Sequence, residues 1–85
     1  ILLSKGTANS SWVPVRTIFV EALRYEAVYM ILIHNHPSGC PEPSREDLVI
    51  TKQIKEAGEL LGIPLSDHII IGDKCYTSLR EQQMM

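Results

Sequence analysis

Residues 27–37 read AVYMILIHNHP, an unbroken apolar run from Ala27 to Ile33 that leads directly into His34 and His36. The run is rich in branched aliphatic residues and does not alternate with polar ones, which favours a central β-strand covered on both faces. Successive side chains of an extended segment point to opposite faces, so His34 and His36 are predicted to project the same way. The strand therefore brings two imidazoles to one edge of a sheet.

Pro37 and Gly39 direct the chain out of the sheet immediately after this pair. Proline cannot donate to a strand ladder and glycine frees the backbone, so the following loop can return Asp47 towards the histidines. Two histidines and one carboxylate form a set that suits a catalytic zinc ion, with the fourth position left for water or substrate. His34, His36 and Asp47 are therefore the candidate metal ligands.

Ser44 and Asp47 also have the spacing of a capping box, in which each side chain bonds the backbone N–H of the other residue. Capping is the more ordinary interpretation of this pattern, and a His-x-His pair alone is weak evidence for a metal. The combination favours a site, because the helix start brings a positive dipole end and a carboxylate back to the histidines. Ser44 is compatible with both roles, since its hydroxyl can support a reacting oxygen while it caps the helix.

Three further polar residues lie near the candidate ligands in the predicted fold. Thiol ligation by Cys40 is a minor alternative, because Cys40 and Cys75 lack the CxxC spacing and favour free thiols. Asp67 and His68 occupy opposite faces of a strand predicted at 66–72, so at most one of them approaches the site. For both we favour structural hydrogen bonding.

The remaining pattern predicts an α/β layer structure that contains one hairpin. Strands are expected at 1–5, 27–33, 66–72 and 75–79, with turns at 6–11 and 73–74 and fraying at 80–85. Amphipathic spacing predicts helices through 15–23 and 44–61, the second ended by Gly62 and Pro64. The helix residues predicted to face the core are Val15, Ile18, Phe19, Ala22, Leu23, Leu48, Ile50, Ile54, Ala57 and Leu61.

Length and charge narrow the classes of protein. With 85 residues and 45% hydrophobic content, the chain is one small domain (1–85), and its start at Ile1 without methionine predicts a fragment of a longer domain. A net charge of -2 without a basic cluster argues against direct nucleic-acid binding. No apolar run approaches the ~20 residues of a membrane helix, so we expect a soluble cytoplasmic domain. Pairing of edge strands into a homodimer is left open.

These motifs resemble the JAMM signature of the JAB/MPN-domain metalloproteases and, more narrowly, the bacterial RadC family. The resemblance runs from about Gly6 to Leu79. The segments that carry it are His34-Asn35-His36-Pro37-Ser38-Gly39, Pro43-Ser44-Arg45-Glu46-Asp47, Glu56-Ala57-Gly58-Glu59-Leu60-Leu61-Gly62-Ile63-Pro64 and Asp67-His68-Ile69-Ile70-Ile71-Gly72.

The resemblance implies a cytidine-deaminase-like, three-layer α-β-α fold with a mixed sheet, and a zinc ion held by His34, His36 and Asp47. It also implies that Ser44 orients or stabilises the reacting oxygen. Enzymes of this type hydrolyse peptide or isopeptide bonds with water as nucleophile and a glutamate as general base. RadC proteins carry a DNA-repair name, usually with a helix-hairpin-helix segment ahead of this domain.

Two features depart from the family pattern. The base glutamate of the family lies upstream of the region that matches Ile1, and Glu21, Glu42 and Glu46 are not assigned its role. Val15 and Thr17 also stand where the family commonly has proline and glutamate. A second hypothesis is therefore a non-catalytic metal-binding or scaffold module in DNA processing.

Overall fold

Two strand–helix units and a hairpin build the sheet. The computed structural model describes residues 4–5 and 13–85. The elements are β1 (Ser4–Lys5), α1 (Val15–Arg24), β2 (Met30–Asn35), α2 (Arg45–Leu61), β3 (Leu65–Ile71) and β4 (Tyr76–Ser78). The strands form one four-stranded sheet in the order β1-β2-β3-β4, with β1, β2 and β3 parallel and β4 antiparallel to β3. The predicted α/β class with a mixed sheet is confirmed.

Among the described residues, the core lies between the sheet and one layer of helices. Ile18 of α1, Leu32 of β2 and Ile54 of α2 belong to one buried cluster, so both helices pack on the same sheet face. The opposite face of β2 is open, and Ile31 is 45% exposed there. The prediction that β2 is covered on both faces is therefore wrong for the described residues, and the second helical layer of an α-β-α arrangement is not among them. Buried and exposed residues alternate along β2 instead.

Helix α2 has sharply defined ends. Ser44 is its N-cap and Gly62 its C-cap, with a left-handed φ of 77° that glycine adopts without strain. Gly58 lies in the helix interior because its backbone approaches the Ile63 carbonyl, where a Cβ atom would collide. Both predicted ends of this helix are confirmed. Neither α1 nor α2, the helices of the described part of the chain, has the length and hydropathy that a membrane span requires.

The buried stripe of each helix is narrower than its apolar pattern suggested. Leu23, Leu48 and Leu61 were predicted to face the core, but all three are exposed. A single helical layer on a narrow sheet covers the centre of each helix face, so apolar residues at the margins of the stripe remain in solvent.

The ends of the predicted elements differ in two places. Strand β2 begins at Met30 rather than Ala27, because the Ala27 N–H donates to the Ala22 carbonyl at the end of α1. Residues 80–85 do not fray, since the Met84 N–H bonds the Leu79 carbonyl and Met85 packs against the core. The predicted first strand is confirmed at Ser4–Lys5, while residues 1–3 and the turn at 6–11 lie outside the described residues.

Candidate metal centre

The three predicted ligands converge where β2 ends and α2 begins. His34 is the penultimate residue of β2, and the His36 N–H extends the strand pairing by donating to the Ile71 carbonyl. The chain then turns through Gly39, whose φ is 84°, and reaches the first turn of α2. One ligand atom from each of His34, His36 and Asp47 lies within 4.8 Å of the others. The predicted convergence of these residues is therefore present in the structure.

The Asp47 carboxylate lies between the two imidazoles. His34 Nδ1 is 3.0 Å from Asp47 Oδ1, and His36 Nε2 is 2.8 Å from Asp47 Oδ2. The rings meet edge to face, with centroids 4.7 Å apart and planes at 89°. His34 and Asp47 are almost fully buried, whereas His36 is partly open to solvent. The cluster is thus buried on the side of His34 and Asp47 and accessible to solvent on the side of His36.

The hydrogen bonds of His36 favour a cation at this position. His36 Nδ1 lies 2.9 Å from the Cys40 carbonyl oxygen, which can only accept a hydrogen. Nε2 faces an ionised carboxylate, so the close approach requires a proton or a metal ion between the two atoms. The two imidazole nitrogens face different oxygens of the Asp47 carboxylate, and one ligand atom of each residue lies within 4.8 Å of the others. Imidazole nitrogens and a carboxylate oxygen are donors that zinc accepts, so the chemistry of this donor set fits a divalent ion.

Ser44 and Asp47 also form the predicted capping box. The Ser44 N–H donates to Asp47 Oδ2 at 2.8 Å, and the Asp47 N–H donates to Ser44 Oγ at 3.1 Å. Asp47 Oδ2 thus accepts from the helix cap and faces His36 at the same time. Capping and metal ligation, the two interpretations of this motif, are compatible because one carboxylate serves both. The Ser44 side chain uses an acceptor lone pair here, so its hydroxyl hydrogen can still donate.

Electrostatics keep the aspartate ionised and the buried histidine neutral. Burial tends to raise the pKa of Asp47, but hydrogen bonds from the Ser44 backbone and side chain, together with the neighbouring His34 and His36, hold that pKa below its usual value. Burial lowers the pKa of His34, with partial opposition from the Asp47 carboxylate. A neutral imidazole beside an ionised carboxylate is the protonation state in which both groups can ligate a metal.

The two polar residues of β3 point to opposite faces, as predicted. His68 lies fully buried on the helix-covered face, and burial lowers its pKa to about 4. Asp67 lies on the other face, where its carboxylate accepts hydrogen bonds from Ser78 Oγ at 2.6 Å and from the Arg80 N–H at 3.1 Å. Burial tends to raise the pKa of Asp67, and these hydrogen bonds more than offset that effect and lower it. Asp67 is therefore structural, and His68 is the one that approaches the site.

Two features of the site escaped the sequence analysis. Cys40 contributes its carbonyl oxygen to His36, whereas its thiol is exposed and free, as is that of Cys75. Thr51 bonds both the Asp47 carbonyl and His68. A signal for Thr51 did exist, since it lies four residues after Asp47 and hence on the same helix face.

An open depression lies over the candidate ligands. It has a volume of about 590 Å³, and its lining includes His36, Ser44, Arg45 and Glu46. Glu46 is the only glutamate of the described residues in this lining, and it is exposed in the first turn of α2. The cluster can therefore be reached from solvent through this depression.

A carboxylate held between two histidines, at the carboxyl end of a parallel strand and the start of a helix, defines a small α/β domain with a candidate metal centre. The chain matches the RadC-like JAB domain family over residues 1–84. It belongs to that family, which confirms the resemblance inferred from the sequence.

The similar curated proteins include several that are named only as UPF0758 proteins. The chain is 55% identical over 83 residues to one from Desulforamulus reducens and 54% identical over 83 residues to one from Alkaliphilus metalliredigens, in each case covering 98% of this chain. A third, from Geotalea uraniireducens, is 49% identical across the whole chain. The chain spans 36–37% of the length of these relatives.

Proposed function

We propose that this domain is a zinc-dependent hydrolase that cleaves peptide or isopeptide bonds. The observation that carries the proposal is the convergence of His34, His36 and Asp47 beneath an open depression. A set of three protein ligands is typical of catalytic zinc sites, whereas structural sites usually have four. Membership of the RadC-like JAB domain family supports the same class of reaction.

His34, His36 and Asp47 would hold the ion. When bound, zinc supplies Lewis-acid chemistry that polarises a carbonyl group and makes water a competent nucleophile at neutral pH. The Cys40 carbonyl, by accepting from His36 Nδ1, leaves Nε2 directed at the site. The capping bond from the Ser44 N–H likewise fixes the Asp47 carboxylate. Backbone groups therefore orient His36 and Asp47 before an ion binds.

Ser44 is proposed as the residue that stabilises the reacting oxygen. Its side chain is in the lining of the depression, next to the ligands, and its Oγ is held by the Asp47 N–H. A hydroxyl held in this way can donate its hydrogen to an oxygen on which negative charge develops, without first paying a reorganisation cost. The general base is not assigned to a residue that the structure describes.

A non-catalytic metal-binding or scaffold module is the second candidate. The observation in its favour is that Glu46, the glutamate in the described part of the depression, also belongs to the acidic first turn of α2, where it interacts favourably with the helix dipole. The two candidates share the metal centre and differ in turnover. The formal charge of -2 favours a protein or peptide partner over direct contact with nucleic acid.

The experiment begins with metal content. The purified protein should contain about one zinc per chain by elemental analysis, and His36→Ala should lose it with a fall in melting temperature. Equal zinc content in both proteins would refute the metal centre.

Activity is then measured on a panel of fluorogenic peptides and isopeptide-linked conjugates, with the domain carried in the full-length protein. Zinc-dependent release that disappears in His36→Ala supports the hydrolase. Zinc binding without release from any member of the panel favours the scaffold module.

A further inference from the structure

A buried threonine and a buried histidine lie directly behind the candidate ligands. Thr51 is 2% exposed and His68 is 0% exposed. Thr51 follows Asp47 by one turn of α2, and His68 lies on β3, where it pairs with Leu32 of β2. Neither residue belongs to the ligand set. A buried hydroxyl and a buried imidazole cost free energy unless they are hydrogen-bonded, so both groups need partners inside the protein.

The proton positions in this pair follow from the geometry. Thr51 Oγ1 lies 2.6 Å from the Asp47 carbonyl oxygen and 2.6 Å from His68 Nδ1. The carbonyl can only accept, so the single hydroxyl hydrogen must point to Asp47. His68 Nδ1 must then carry the hydrogen that it donates to Thr51. His68 on β3 thus donates a hydrogen bond to the Thr51 hydroxyl, which in turn donates one to the backbone carbonyl of the candidate ligand Asp47.

The same histidine also packs against a second ligand. The His68 and His34 rings are nearly parallel, with planes at 21° and centroids 6.3 Å apart. His68 therefore lies beside the His34 ring while its Nδ1 bonds Thr51. One buried residue of β3 is therefore next to the candidate ligand of β2 and is linked through Thr51 to the candidate ligand of α2.

We propose that Thr51 and His68 are positioning residues of the metal centre, which together fix the spacing between Asp47 and His34. The inference rests on the proposed function, since it assumes that His34, His36 and Asp47 bind a metal ion. The Asp47 carboxylate is at the N-terminal end of α2, and the hydrogen bond between Thr51 and His68 connects that turn to the sheet. Without this hydrogen bond the first turn of α2 can shift relative to β2. The distance between the candidate ligand atoms of Asp47 and His34 would then change.

A purely structural role makes a different prediction. If Thr51 and His68 only stabilise the core, their loss lowers the melting temperature and leaves metal affinity unchanged. Partners behind metal ligands commonly alter affinity by about 10–100-fold when they are removed. Metal affinity, measured where the protein is folded, therefore separates the two roles.

The test compares Thr51→Val, which removes the hydroxyl at nearly constant volume, with Thr51→Ser, which keeps it. Ser78→Ala is the matched control, because Ser78 is also buried and donates a 2.6 Å hydrogen bond, but to Asp67 on the far side of β3. Zinc affinity is measured by competition with a chromophoric chelator, and the visible absorption of bound Co2+ reports ligand geometry. Thr51→Ala, which leaves room for a bridging water, replaces the valine variant if that protein does not fold.

We expect Thr51→Val to weaken zinc binding by about tenfold or more and to change the Co2+ spectrum. Thr51→Ser should bind like the wild type, and Ser78→Ala should lower the melting temperature with unchanged affinity. Wild-type affinity and an unchanged spectrum in Thr51→Val would overturn the positioning role while leaving the metal centre intact. Absence of zinc binding by the wild type would instead remove the proposed function and, with it, this inference.

Discussion

Replacement of Asp47 by asparagine separates the two roles that its carboxylate combines. Oδ2 accepts from the Ser44 N–H and faces His36, and Oδ1 faces His34. Asparagine keeps one acceptor oxygen, which can preserve the capping bond, but its amide nitrogen places hydrogens against His34. It also removes the anionic group from the candidate ligands. We therefore expect the variant to fold and to lose the response to zinc.

These contacts set the size of the expected loss of stability. Loss of a hydrogen bond that involves a charged group costs about 1.5–3 kcal/mol, so without metal the free energy of unfolding of Asp47→Asn should fall by that amount. A zinc concentration of 100 times the dissociation constant stabilises the wild type by about 2.7 kcal/mol. For a domain of this size each kcal/mol shifts the melting temperature by about 4–8 °C, so the zinc response of the wild type is roughly 11–22 °C.

Ser44→Ala is the control for the capping role. Loss of the cap acceptor for the Asp47 N–H costs about 1 kcal/mol, or roughly 4–8 °C, in the metal-free protein. The carboxylate remains, so the zinc response should persist. Thermal unfolding of the three proteins with a chelator and with excess zinc provides the measurement. A full zinc response in Asp47→Asn would refute the assignment of this carboxylate as a ligand.

Three further predictions concern the scaffold. Gly58→Ala should destabilise the domain by about 1–3 kcal/mol in thermal unfolding, despite the higher helix propensity of alanine, because the new Cβ meets the Ile63 carbonyl. Gly72→Ala should lower both zinc affinity and stability, because the new Cβ of Ala would displace the Gly39 carbonyl in the loop that orients His36. An unchanged dissociation constant for zinc would contradict this prediction. Asp67→Asn should cost about 1–3 kcal/mol in urea unfolding at pH 7. The pKa of Asp67 is lowered in the fold, so its contribution is present above the unfolded value of about 3.9 and is lost as pH falls through the folded value, and the gap between wild type and variant should narrow there.

Local chemistry explains which parts of the site were predictable. Alternation along an extended strand puts His34 and His36 on one face whatever surrounds them, and the Ser44–Asp47 spacing specifies a helix start. Both features depend on neighbours within a few residues, and both are present in the structure. The return of Asp47 across a short loop followed from the same local signals.

Packing explains what was not predictable. Leu61 has the periodicity of a core residue and yet is exposed, because a helix pattern does not reveal how much sheet lies beneath it. Ile31 belongs to an apolar run that suggested two covered faces, but the helices that contact the sheet lie on one face. The hydrogen bond from His68 to Thr51 joins residues 17 positions apart, and no local pattern encodes it.

The amino-acid sequence alone therefore determined the types of the candidate ligands, their facing directions and the helix cap that holds the carboxylate, because these depend on backbone periodicity and short-range hydrogen bonds. The tertiary structure decided the distances between the candidate ligands, the protonation of the buried groups and the residues that lie behind them. Distances and protonation depend on how separate elements pack and exclude water, and that is settled only when β2, α2 and β3 come together.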